Sequence, residues 1–427
     1  MTLLGLFAHS FGRLYNLPVP FWMYAYGASA ALALSFVVVA YFVTAPAPAP
    51  QVRERSITTT PPRWLVPIAR ALSVAALLLC VATGLFGSPN PYINLSMTLF
   101  WIVFVLGCTY ATALFGDFYA EINPWAALTH GGGVLSYPER LGYWPALALY
   151  MAFIWIELFG AVRPSSLAMA LIAYSLLNLI GVWLVGKQSW FRYCEFFSVF
   201  FRLIGRIALV NRSGFHAERI SLVVFALFML SSTAFDGLRD TTPWLMFLTG
   251  ILPRSSYAAM HAMYFGLQTM TLLISPFVYF GVYAGFVALA KIAAGSDRSV
   301  KELALRFAPT LLPIALVYHF THYFTLLITQ GVMVVPLLSD PFGRGWNLFG
   351  TAHWLSTPII PNAALVWHTQ VALIVAGHIV SVWLAHREAL AVFGNRATRS
   401  QLPMLVLMML FTTIGLWILA QPIQSGM

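Results

Sequence analysis

The chain has 427 residues; 60% are apolar and 8% are charged, against about 25% charged in an ordinary soluble domain. That balance excludes a soluble globular protein, a disordered chain and a secreted disulfide scaffold, and predicts an all-α polytopic membrane protein. Lysine and arginine number 23 against 13 acidic residues, a formal charge of +10. The three cysteines, Cys80, Cys108 and Cys194, form no CxxC pair and read as buried small hydrophobes.

Ten apolar stretches approach the length needed to cross a hydrocarbon core of roughly 30 Å. In chain order they cover 21–43, 64–86, 95–115, 144–162, 167–186, 220–235, 263–290, 307–338, 366–386 and 401–421. Helix is the expected form, because lipid offers no partner for backbone polar groups. The sixth stretch is short. The seventh and eighth contain Pro276, Pro309, Pro313 and Pro336, which predicts kinks or tilt.

Placing both termini outside puts 18 basic residues in the inner loops and five outside: Arg13, Arg163, Arg239, Arg254 and Arg344. This asymmetry accounts for the basic charge without a nucleic-acid partner. APAPAP at 45–50 reads as a stiff linker. A single integral membrane domain, 1–427, is expected. Within 190–206, Arg192, Glu195, Ser198, Arg202 and Arg206 share one arc and aromatic or aliphatic residues fill the rest. The pattern predicts an amphipathic interfacial helix on the inner leaflet.

Ionisable residues within spans are costly and therefore functional candidates. VYHFTHYF in the eighth span carries His319 and His322 on one helix face, and the ninth carries His368, His378 and His386. His319, His322 and His378 fall at similar depth by helical rise. Neutral imidazole is the least costly ionisable ligand to bury. His319, His322, His378 and His368 are the candidate ligands for a divalent transition metal (zinc, iron or copper), or for haem b. A proton relay is the third use of the same residues, and the plain alternative is that each histidine bonds groups on adjacent helices.

A second candidate cluster lies on the outer side. Asp236 and Glu157 are its candidate catalytic acids or bases, with His353, His261 and Asp240 in support and Trp244, Trp346 and Trp354 at the rim. Asp236, Arg239 and Asp240 in STAFDGLRDTTPW are equally able to pair with one another. No Walker motif, GxGxxG or GxSxG elbow occurs in the chain.

Three stretches resemble marked segments of bacterial membrane proteins known as fenitrothion hydrolases. They are AHSFGRLYNLPVPFWMYAYGASAALALSFVVVAYF at 8–42, HFTHYFTLLITQG at 319–331, and QVALIVAGHIVSVWLAHREAL at 370–390. The resemblance implies a bacterial inner-membrane hydrolase of lipophilic organophosphorus triesters; it carries over no catalytic residues. A neutral triester partitions into lipid, and a histidine-bound metal would activate water against it. From the residues alone, two other functions stay open: a redox subunit holding haem b or copper, and a proton-coupled transporter. The expected partners are the lipid bilayer, a lipophilic small molecule and a second subunit.

Overall fold

The computed structural model describes residues 17, 19–46, 64–160, 163–207, 216–251, 256–354 and 359–425. Arg13, Arg53, Arg55, Arg63, Arg212, Arg254 and most of the 45–50 linker lie outside the described residues. Every regular element among the described residues is helical. We name the principal helices α1 (Phe21–Phe42), α2 (Leu65–Phe86), α3 (Leu95–Phe115), α4 (Trp144–Gly160) and α5 (Pro164–Val185). They continue as α6 (Phe196–Arg206), α7 (Ile220–Arg239), α8 (Thr242–Ile251) and α9 (Tyr257–Ala294). The last three are α10 (Leu312–Thr329), α11 (Ala363–Phe393) and α12 (Ala397–Ser425).

Eight helical stretches among these residues are long and apolar enough to cross a membrane. One of them, Ala363–Gln421, is two rods, α11 and α12, joined through a short turn at Gly394–Arg396. Two shorter apolar helices, α4 and α8, accompany them. The chain is an all-α polytopic membrane protein. Two boundaries differ from expectation. The sixth span extends to Arg239, giving 20 residues, about the length that spans a bilayer core. The eighth is not one rod: α10 ends at Thr329, a single turn follows at Gly331–Met333, and a short helix resumes at Val334–Ser339. Pro276, by contrast, lies inside an unbroken α9.

The chain divides into two compact units. One comprises residues 1–51, 213–322 and 361–427. Its centre is α7, buried at every position from Ser221 to Gly237. A helix apolar all round must be covered on all sides by protein or lipid; α7 is covered by protein, packing most extensively on α9. Around it, α11 pairs with α12, α9 with α12, and α1 with both α11 and α12. The outer helices turn apolar stripes outward: Leu402, Val406, Leu410 and Ile414 of α12 are all exposed at four-residue spacing. Such a stripe suits lipid contact, where apolar exposure carries no penalty.

The other unit comprises residues 52–212 and 323–360. Here α2 packs on α5 and on a short helix, Pro124–Leu128. Its core is aromatic. Trp125 stacks on Phe197 with centroids 5.9 Å apart, and Tyr119 meets Phe201 at 4.6 Å. The expected interfacial helix 190–206 takes a different form. Trp190–Cys194 is a π-helical turn, Glu195 breaks the helix, and α6 starts afresh with Glu195 as its N-cap. Phe196, Phe197, Phe200 and Phe201 are buried among protein side chains, so the apolar arc meets this unit's own core rather than a leaflet. Periodicity identified the arc; it carries no information on what covers it.

Close approach fixes the register of α5 against the π turn. A Cβ on Gly181 would lie 2.4 Å from three ring atoms of Trp190, whose indole N–H donates to Asn178 Oδ1 at 2.7 Å. Gly181→Ala therefore forces that ring aside and is expected to lower stability by about 1–2 kcal/mol despite alanine's better helix propensity. Gly281→Ala in α9, where a Cβ meets nothing within 4 Å, is the control. Thermal unfolding in detergent should show a lower midpoint for the first variant and no loss for the second.

Candidate functional site

The final turn of α7 and the residue after it carry three charged residues in five positions: Asp236, Arg239 and Asp240. Carboxylates at a helix C-terminus oppose the macrodipole, so helix stability does not account for them. Asp236 is 3% exposed, and burying a carboxylate demands partners. It has two. Its Oδ2 lies 2.9 Å from Nε2 of His322 on α10, itself buried, and its Oδ1 lies 3.2 Å from Nε of Arg239. Arg239 also approaches Asp240 at 3.8 Å. Tyr264 of α9 is within electrostatic range of Arg239 and Asp240.

Asp240 sits one residue beyond the span. Burial pushes its carboxyl up to about 6, with Arg239 pulling the other way.

Small residues position His322. Gly237 follows Asp236, and a Cβ there would lie 2.5 Å from Ile418 of α12 and 3.5 Å from the His322 ring. One turn before His322, Tyr318 packs on Gly415 of α12; a Cβ at Gly415 would be 2.7 Å from its ring. On α11, Gly377 receives Val317 just as closely, and the Gln370 amide donates to the Thr321 carbonyl at 3.0 Å. Three neighbouring helices thus fix the rotation of α10. With Nε2 engaged by a carboxylate, the imidazole is a neutral Nε2–H donor or a cation.

The other candidate histidines go elsewhere. His319 is within electrostatic range of His322 and Asp236. His378 is 2% exposed, and its Nδ1–H donates to the Ile374 carbonyl at 2.8 Å. His368 is exposed and makes the same bond to Ala364 at 2.7 Å, with Tyr24 edge-on. His386 bonds the Val43 carbonyl and receives the Gln401 amide. His261 is exposed in the first turns of α9. Glu157 and His353 belong to the second unit. Glu157 is half-buried in the π turn Ile156–Gly160, and His353 is exposed, as are Trp346 and Trp354.

Among the described residues, no three histidine, cysteine, aspartate or glutamate side chains converge as a metal site would require. The four-histidine centre expected from His319, His322, His378 and His368 does not assemble. Nδ1 of His368 and Nδ1 of His378 each bond a carbonyl one turn back on α11, and His322 faces α7.

Sequence reasoning singled out both Asp236 and His322 in separate clusters and joined them only through a metal, with Asp236 as bridging or base candidate to the histidine ligands. It gave no role to the polar residues of α11 other than histidine. Among these, Trp367 Nε1, Gln370 Oε1 and Ser381 Oγ are buried with no hydrogen-bond partner among the described residues, as is His378 Nε2. The signal available was the presence of polar atoms within an apolar run. Compared with protein-family models, curated proteins and solved structures, the chain matches none.

Proposed function

We propose that the chain is a membrane enzyme that hydrolyses lipophilic phosphotriesters, with His322 as general base and Asp236 as its orienting partner. The observation that carries this reading is the buried 2.9 Å contact between the two, secured by Arg239. A carboxylate on one imidazole nitrogen holds the ring's tautomer and stabilises the imidazolium that forms on the other. In the proposed step the His322 imidazole takes a proton from water. The water oxygen bonds to phosphorus, the phosphorus–aryloxy bond breaks, and the nitrophenolate leaves with the electron pair. The described ligand set does not fit a three-ligand metal centre, and the proposed step uses side chains alone.

The substrate class comes from the resemblance, and its lipophilicity suits a site buried among spanning helices. The same reading places the protein in a bacterial inner membrane with both termini outside, from the 18-to-5 division of basic residues.

The test is nitrophenol release from fenitrothion by the purified protein. His322→Gln should lower the rate by about 10²–10⁴-fold, the usual contribution of a positioned base. No release by the wild type, or equal release by the variant, removes the assignment. A Soret band in the same preparation would favour the haem reading instead.

A further inference from the structure

In the second unit the chain beyond the short helix Val334–Ser339 forms a closed loop, residues 340–351. Its two ends meet where the Ser339 and Thr351 hydroxyls lie 2.9 Å apart. Most of its backbone N–H groups are bonded locally. Those of Arg344 and Gly345 donate to the Asp340 carboxylate, each at 2.8 Å. Those of Phe349 and Thr351 donate to the Ser339 hydroxyl at 3.1 and 3.3 Å, and that of Leu348 reaches the Ser339 carbonyl at 3.0 Å. Gly345 and Gly350 supply the positive φ of its turns, 79° and 73°. The result is an Ω-loop of fixed shape whose backbone asks little of water.

Its side chains do not suit a loop that faces water. Trp346, Leu348 and Phe349 are 41%, 60% and 70% exposed. The acidic residue, Asp340, is spent on the backbone. The basic one, Arg344, lies between two rings, its guanidinium 5.5 Å from the Phe342 centroid and 5.8 Å from that of Trp346. Among the described residues Arg344 makes no ion pair. Large apolar side chains held outward on a loop of fixed shape mark an interaction surface.

The level of the loop identifies the partner. α2 is an apolar helix of 22 residues, Leu65–Phe86, and rises about 33 Å, enough to cross a hydrocarbon core. Ser88 stands two residues beyond its end, and a Cβ on Gly343 would lie 3.2 Å from the Ser88 Cβ. The loop therefore packs at the end of this rod, where lipid headgroups begin. Phe86, Tyr92 and Ile93, on either side of Ser88, are exposed as well, so the apolar surface of α2 continues past its end. Tryptophan beside arginine suits that layer: the ring sits at the boundary and the guanidinium reaches the phosphates. We propose that the loop 340–351 is seated in the lipid interface, with Leu348 and Phe349 at the acyl boundary and Arg344 on a lipid phosphate. Such an anchor serves either orientation of the chain and does not depend on the hydrolase reading.

A nitroxide attached at Leu348→Cys, with the protein in phosphatidylglycerol nanodiscs, tests this. Its relaxation by oxygen, which concentrates in lipid, is set against its relaxation by a water-soluble nickel chelate. Leu410→Cys on α12 gives the lipid reference, and Asp297→Cys, exposed just beyond α9, the aqueous one. Label taken up by the wild type measures the background from Cys80, Cys108 and Cys194. Oxygen should outweigh nickel at Leu348, as at Leu410. Nickel outweighing oxygen, as at Asp297, or shielding from both reagents, as beneath a protein partner, overturns the proposal. Adding Arg344→Glu should shift the label toward water, whereas Arg344→Lys, which keeps the cation, should leave it in place. An unchanged depth in Arg344→Glu overturns the phosphate contact. Thermal unfolding midpoints establish that the variants are folded; if Leu348→Cys is not, Phe349→Cys takes its place.

Discussion

Replacing Asp236 by alanine is expected to destabilise the protein by about 3–5 kcal/mol, the usual cost of removing one member of a buried ion pair. The carboxylate is the shared partner of His322 at 2.9 Å and Arg239 at 3.2 Å, and its own side chain is 4% exposed. Alanine leaves a guanidinium and an imidazole facing a cavity in a region with little water to solvate them. Arg239 keeps a weaker contact with Asp240 at 3.8 Å, which places the loss toward the lower end of that range. Asp236→Asn preserves the shape and one acceptor oxygen, so it should cost less while still removing the charge that holds the imidazole ready. The two variants therefore separate folding from function. Thermal unfolding in detergent should rank wild type, Asn and Ala in that order, while nitrophenol release should fall strongly in both. An alanine variant as stable as the wild type would mean that the pair contributes no net interaction. Adding Arg239→Ala to Asp236→Ala should cost less than the two single losses combined, because the second change removes a charge that the first left without its main partner.

Glu195→Ala is expected to cost about 2–4 kcal/mol in the other unit. Glu195 is fully buried and accepts at the start of α6 from the N–H groups of Phe197 at 3.2 Å and Ser198 at 2.6 Å. Loss of an N-cap costs about 1 kcal/mol. The same carboxylate receives the Tyr174 hydroxyl and the Asn123 amide, and leaving such donors unpaired adds about 1–3 kcal/mol. Glu195→Gln keeps an acceptor for the cap and should recover most of the loss.

The pH dependence has a definite sign. Burial pushes the Glu195 carboxyl up from its ordinary value, against the hydrogen bonds from Ser198 and Tyr174. The folded protein thus holds a proton on Glu195 that the unfolded chain releases near pH 4.3. The associated stability is fully present below that value and declines as pH rises through the folded-state pKa. In Glu195→Gln this part of the decline should disappear, which unfolding midpoints measured across the acidic range would show.

The apolar helices were legible in the sequence because hydrophobic length is a local property, written in consecutive residues. Asp236 and His322 were also visible, as residues too costly to bury without a reason. Their pairing was not, since 86 positions separate them and the contact depends on which way α10 turns. That rotation is decided by Gly237, Gly377 and Gly415, whose roles emerge only once neighbouring helices press against them. The same limit explains the unassembled histidine centre: equal depth places imidazoles on a common plane, whereas convergence needs each helix to face the others.

By itself the sequence determined the membrane class, the helical form and the stock of residues able to do chemistry. Tertiary structure alone decided which of them meet and that the aromatic arc of α6 is covered by protein. The physical reason is that transfer of a helix into lipid depends on its own composition, while the partners of a side chain depend on helix rotation, and rotation is set by close packing between segments far apart in the chain.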